Sequence, residues 1–175
     1  MTIGKVAAIG GLGLLALMAN GCLANNDPCN VNGVITMTYP PSQFTPDELQ
    51  AFAIAEKTWN DFIGREVVSL RAQESDDGCD IRKDPTLGVG KPHLGRTSKV
   101  DGVIRIGVPY QCGIPDPNSL DKSGMCFLAI LVHELGHMLG MDHVSDPHAV
   151  MFHQTATVTP NESDREEARR VGLIP

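Results

Sequence analysis

His133-Glu134-Leu135-Gly136-His137-Met138-Leu139-Gly140-Met141-Asp142-His143 is the stretch on which the reading of this chain turns. It has the form H-E-x-x-H-x-x-G-x-x-H, and each fixed position has a physical task. On a helix, His133 and His137 stand one turn apart on the same face. Two imidazoles placed that way can take two corners of a tetrahedral zinc site. Glu134 lies beside the first of them, where it can reach a water on the metal but is poorly placed as a ligand. Gly140 permits the left-handed turn that ends the helix and swings His143 round to a third corner. The fourth corner stays open, which is the layout of a catalytic site. An amphipathic helix whose histidines merely face one way would need neither the glycine nor the third histidine.

Downstream, Met151 stands in the run Ser145-Asp146-Pro147-His148-Ala149-Val150-Met151-Phe152. The long motif followed by a methionine-bearing turn resembles the metzincins. The wording around it, from residue 125 to 153, looks most like the matrixin branch, the matrix-metalloproteinase-like peptidases. That resemblance implies an α+β fold: a twisted, mostly parallel sheet, a long N-terminal helix, a zinc-binding helix, a Met-turn and a C-terminal helix. It also implies one catalytic Zn2+ on His133, His137 and His143, with Glu134 as general base and Met151 as a hydrophobic floor beneath the metal. The loop after Met151, residues 152 to 158, would wall the pocket for the side chain just beyond the scissile bond. Protein or peptide is the implied substrate.

The start of the chain reads differently. Lys5 is followed by the apolar run Val6 to Met18, too short to span a bilayer comfortably. A small residue, Gly21, then precedes Cys22. This resembles a bacterial lipoprotein signal, with residues 1–21 removed and Cys22 lipidated; ordinary secretion and a retained anchor helix are the alternatives. Leu23 favours an outer-membrane destination where the envelope has one. Reserving Cys22 for lipid leaves Cys29, Cys79, Cys112 and Cys126, an even number in a compartment that permits disulfides. Three pairings are open, besides unpaired buried thiols. Cys112 with Cys126 and Cys29 with Cys79 is favoured, because the former would hold the loop before the zinc helix. The net charge of −7 and the absence of a basic run argue against nucleic acid.

Between these ends the chain has room for one domain, residues 33–175 after a short lead at 22–32. Gly33 to Tyr39 alternates and is β-branched, a first strand. Thr45-Pro46-Asp47-Glu48 has capping-box spacing, and Phe52, Ala55, Trp59 and Phe62 recur at helical spacing over about 46–63. Trp59 reads as core. Glu66 to Arg71 and Val100 to Val108 read as further strands, while residues 73 to 99 carry no clear signal. Thr159-Pro160-Asn161-Glu162 repeats the capping signal for a final helix to about Val171, with Ser163-Asp164-Arg165-Glu166 as a second possible start. The charges from Asp164 to Arg170 read as a solvated face.

Some features depart from the family pattern. Gln111-Cys112-Gly113-Ile114-Pro115-Asp116 resembles the matrixin cysteine switch but stands just before the zinc helix, where a disulfide or turn is the simpler reading. His93 has no matching ligand series for a structural zinc. Asp101, Asp116 and Asp121 could serve Ca2+, although no loop has the expected ligand spacing. His153 stands where matrixins generally have proline; it is either a donor to a developing oxyanion or a residue of the pocket rim. The expectation is a monomeric zinc-dependent endopeptidase, exported and attached to a membrane only through lipid at Cys22. A zinc hydrolase acting on cell-wall material and a non-catalytic surface-binding lipoprotein are the competing classes.

Overall fold

A computed structural model describes residues 27–74, 78–88, 90, 93–108, 122–154 and 157–175. The signal-like segment 1–21, Cys22, Cys112, Asp116 and Asp121 lie outside the described residues. The described residues form a six-stranded sheet with three α-helices.

The strands are β1 (Asn30–Val31), β2 (Val34–Tyr39), β3 (Val68–Ala72), β4 (Asp80–Asp84), β5 (Gly95–Ser98) and β6 (Val103–Gly107). β3 pairs with β2, β2 with β4 and β4 with β6, all in parallel. β5 closes the far side antiparallel to β6, and the two-residue β1 pairs antiparallel with the start of β2. The sheet is thus mostly parallel with an antiparallel edge.

Helix α1 (Pro46–Ile63) begins with the capping box expected from sequence. Thr45 accepts the Glu48 N–H, and the Glu48 carboxylate accepts the Thr45 N–H at 2.6 Å. Lys83 Nζ lies 2.8 Å from the same Glu48 carboxylate, which ties the start of α1 to β4. Gly64, at φ 82°, ends the helix in the left-handed conformation. Its buried face carries Ala51, Phe52, Ala55 and Trp59, and each large apolar side chain buried there contributes roughly 1.5–3 kcal/mol. Asn60 fixes what comes next: its side chain accepts the N–H groups of Val67 and Val68 and donates to the Val68 carbonyl. That clamp starts β3 at Val68, two residues later than the alternation of Glu66 to Arg71 suggested.

Two strands, β4 and β5, lie in the stretch 73 to 99 that carries no clear signal. The run Val100 to Val108 divides into a turn through Gly102, at φ 69°, and the strand β6. Cys29 and Cys79 are joined by a disulfide, which pins the lead before β1 to the start of β4. Cys126, on the zinc-motif helix, is also disulfide-bonded.

Helix α2 (Lys122–Met138) carries the zinc motif. From Met125 to Val132 every residue is buried, so α2 is the central helix, with α1 on one side and β5 on another. Trp59 Nε1 donates to the Val132 carbonyl at 2.9 Å, joining the two helices just before the first histidine. The last helix, α3 (Glu162–Arg170), is capped by Asn161 rather than Thr159, with Asp164 completing the box. Tertiary contacts set that register, because Asp164 is held elsewhere as well. Asp164 is fully buried and Glu167 is 8% exposed, so the expected solvated face is wrong for these two residues. No described helix is long and apolar enough to cross a membrane.

Candidate active site

The last two turns of α2 place His133 and His137 on one face, as four-residue spacing requires. The helix then stops: Gly140 adopts φ 98°, and the N–H groups of Gly140 and Met141 turn back to the carbonyls of His137 and Gly136. This turn carries His143 up beside the helix. The three Nε2 atoms converge, with separations of 3.1 Å (His133–His137), 3.2 Å (His133–His143) and 3.2 Å (His137–His143). Among the described residues, these three form the group of potential ligands able to hold a metal ion.

Hydrogen bonds on the opposite ring nitrogens fix the tautomers. His133 Nδ1 lies 2.7 Å from the Val150 carbonyl and His137 Nδ1 2.9 Å from the Met141 carbonyl. A carbonyl can only accept, so each Nδ1 bears the proton and each Nε2 presents a lone pair to the shared centre. Burial keeps the rings neutral: it draws His133 down to about 4, helped by the neighbouring imidazoles and opposed by the Val150 carbonyl. Burial also lowers His137 and His143, with His153 adding to the effect on His143. The facing lone pairs of His133 and His137, 3.1 Å apart, repel unless a proton or a cation sits between them. Tetrahedral metal–nitrogen bonds of about 2.0–2.1 Å give ligand edges of about 3.3–3.4 Å, close to the spacings found. The donor set fits zinc.

The matrixin family profile matches residues 26–170. The chain belongs to the matrixin family. The match extends well beyond the short stretch whose wording resembles that family, and takes in the sheet and all three described helices. No curated protein matches this matrixin. Among solved structures it is similar to metalloproteinase-II from Bacteroides fragilis, at 13% identity and TM-score 0.49 over 84% of this chain and 55% of that one. It is also similar to high choriolytic enzyme 1, a hatching-enzyme zinc-protease from Oryzias latipes, at 18% identity and TM-score 0.37 over 65% of this chain and 48% of that one. The matrixin thus spans about half the length of these two chains.

Around the histidines, the elements of the matrixin fold hold two loops in place. The Met151 side chain is fully buried, packed against Gly136 of α2 with Trp59 beside it. Asp164 accepts the N–H groups of Val150 and Met151, and Val150 in turn accepts from His133. Glu167 Oε1 accepts the Asp142 N–H at 2.7 Å, next to His143. Glu167 is also bound by Arg170, which lies 2.7 Å from the Asp142 carboxylate. Two carboxylates one turn apart on α3 therefore dock the two loops that complete the centre. Sequence reading missed both, although the i, i+3 placement of acids on one helix face was available as a signal.

Glu134 is 5% exposed and faces β5. Its carboxylate accepts the Thr97 hydroxyl at 2.6 Å. Burial pushes its pKa up to about 7 against the opposing pull of that bond. His153 is exposed, its ring centroid 6.3 Å from that of His143. His93 is an exposed loop residue and takes no part in the site. Asp101 is exposed and bonded to Ser98.

Proposed function

We propose that this matrixin is a zinc-dependent endopeptidase, acting as a monomer on protein or peptide chains. The observation that carries the reading is the convergence of three neutral imidazoles at about one tetrahedral edge from one another, with Glu134 adjoining. His133, His137 and His143 would hold the metal. Zinc in that position would supply Lewis acidity toward a water and toward a peptide carbonyl.

The chain's own residues supply the remaining parts. Glu134 takes the proton of the attacking water and returns it to the leaving amine; a carboxyl held near neutrality can do both. Substrate placement is supported by β5. Leu94 accepts the Gly107 N–H at 2.7 Å and Gly95 stands opposite Ile106, so hydrogen-bonded pairs alternate with Gly95 and Thr97. The N–H and C=O groups of those two residues thus point away from β6, to an edge that no described strand covers, beside Glu134. An extended peptide can add there as a further strand. His153 would stand at the rim as a donor to the developing oxyanion. Export with lipid at Cys22 would place the enzyme on the bacterial cell envelope, with a signal removed after residue 21.

The test combines zinc content with casein cleavage for protein beginning at Leu23, alongside Glu134→Ala and a chelator control. The expected result is one zinc per chain, cleavage abolished by chelation, and Glu134→Ala that keeps zinc and loses cleavage. Full activity in Glu134→Ala would remove Glu134 as the base. Absence of bound zinc would overturn the reading of the three histidines.

A further inference from the structure

The Glu134 side chain is held by a strand, not by the helix or loops that carry the histidines. Thr97 Oγ1 lies 2.6 Å from Glu134 Oε2 and 3.0 Å from the Glu134 carbonyl oxygen. Two positions earlier on the same face of β5 stands Gly95. A Cβ at Gly95 would meet Glu134 Oε1 at 2.5 Å and Ile130 Cγ2 at 2.7 Å. One carboxylate oxygen is thus bonded by β5, while the other fits against it only because a side chain is missing. The φ of Gly95 lies outside the left-handed region, so space and not backbone conformation calls for glycine here.

We propose that Thr97 and Gly95 form a cradle on the edge strand that positions the Glu134 carboxylate, one by donating and the other by leaving room. This deepens the endopeptidase reading and rests on it; both are positioning residues. Free glutamate has several rotatable bonds, and a displacement of about 1 Å in a catalytic group can cost on the order of 100-fold in rate. Threonine suits the task because its branched Cβ restricts χ1 and favours the strand. The backbone groups of Gly95 and Thr97 that face outward are those an added peptide strand would use. β5 therefore holds the base and the peptide in a common frame.

The test uses the zinc-loaded chain with Thr97→Val, Thr97→Ser and Gly95→Ala, measuring kcat, KM and zinc content. Thr97→Val preserves shape and removes the hydroxyl. The expected result is a fall in kcat of about 10–100-fold with KM and zinc content unchanged, recovery of most of it in Thr97→Ser, and a similar fall in Gly95→Ala. A second readout is independent of turnover: urea unfolding of the zinc-free chain in a double-mutant cycle of Thr97→Val with Glu134→Ala. There the folding constants should depart from additivity by about tenfold. Wild-type kcat in Thr97→Val, a loss that serine does not restore, or additive folding constants would each overturn the cradle. If wild type cleaves no peptide, the endopeptidase reading falls and the cycle alone decides the contact: coupling supports the cradle and additivity overturns it.

Discussion

Asp164 receives the Met151 N–H on Oδ1 at 2.8 Å, and its second oxygen takes the Val150 N–H at 2.9 Å. A carboxylate buried on α3 thereby fixes a turn well before it in the chain, and through the Val150 carbonyl it orients His133. Removing the carboxylate would leave two buried N–H groups without an acceptor. Asp164→Ala is expected to lose about 3 kcal/mol of stability, from two hydrogen bonds to a charged group, and to release zinc faster. Urea unfolding and zinc exchange into a chelator measure the two effects; wild-type values in both would remove Asp164 from the support of the centre.

Gly136 lies against Met151 so closely that an added Cβ would overlap the sulfur and approach Trp59 Cζ2 to 3.0 Å. Both neighbours are fully buried, so neither can move freely into solvent. Gly136→Ala is expected to cost about 1–3 kcal/mol through overpacking, read as a lowered Tm. Met151→Ala placed in the same chain should return part of that loss, since it empties the contested volume.

The pair of Glu167 and Arg170 predicts a pH dependence. Hydrogen bonding from Arg170 lowers the Glu167 pKa from 4.5, outweighing burial, and the Asp142 N–H adds to it. A depressed folded-state pKa contributes stability above the unfolded value, and that contribution is lost as pH falls through the folded value. The stability difference between wild type and Glu167→Gln should thus be full at neutral pH and shrink below about pH 4.5. Denaturation curves of both proteins across pH 3 to 7 check this; a difference that stays constant would contradict it.

His153 is exposed, with its ring centroid 6.3 Å from that of His143, and stands outside the set of converging Nε2 atoms. His153→Ala is expected to lower kcat by roughly 10–100-fold, toward the effect of losing one oxyanion donor, while zinc affinity stays unchanged. Unaltered kinetics would leave His153 as a residue of the rim.

What was legible in the sequence was written in local signals. The capping box at Thr45 and the apolar spacing through Trp59 located α1 to the residue, and the five-position motif located the histidines and Gly140. β4 and β5 were not legible, because Asp80–Asp84 and Gly95–Ser98 lack apolar alternation; pairing with β6 makes them strands. The same reason hid Thr97 and Gly95, whose meaning depends on the side chain they face. Asp164 and Glu167 read as solvent-facing because nothing adjacent in sequence reveals that backbone N–H groups from two distant loops meet them. Asn161 displaced Thr159 as the cap of α3 because Asp164, held by the Met151 turn, fixes where that helix begins.

The dependence of the histidine centre on α3 has a consequence for the order of events during synthesis. All three histidines precede Asp164 and Glu167 in the chain, so a growing polypeptide has its ligands before the carboxylates that brace their loops. A well-formed centre is therefore a late product of translation, and a nascent chain stalled before α3 would carry the motif without its full support.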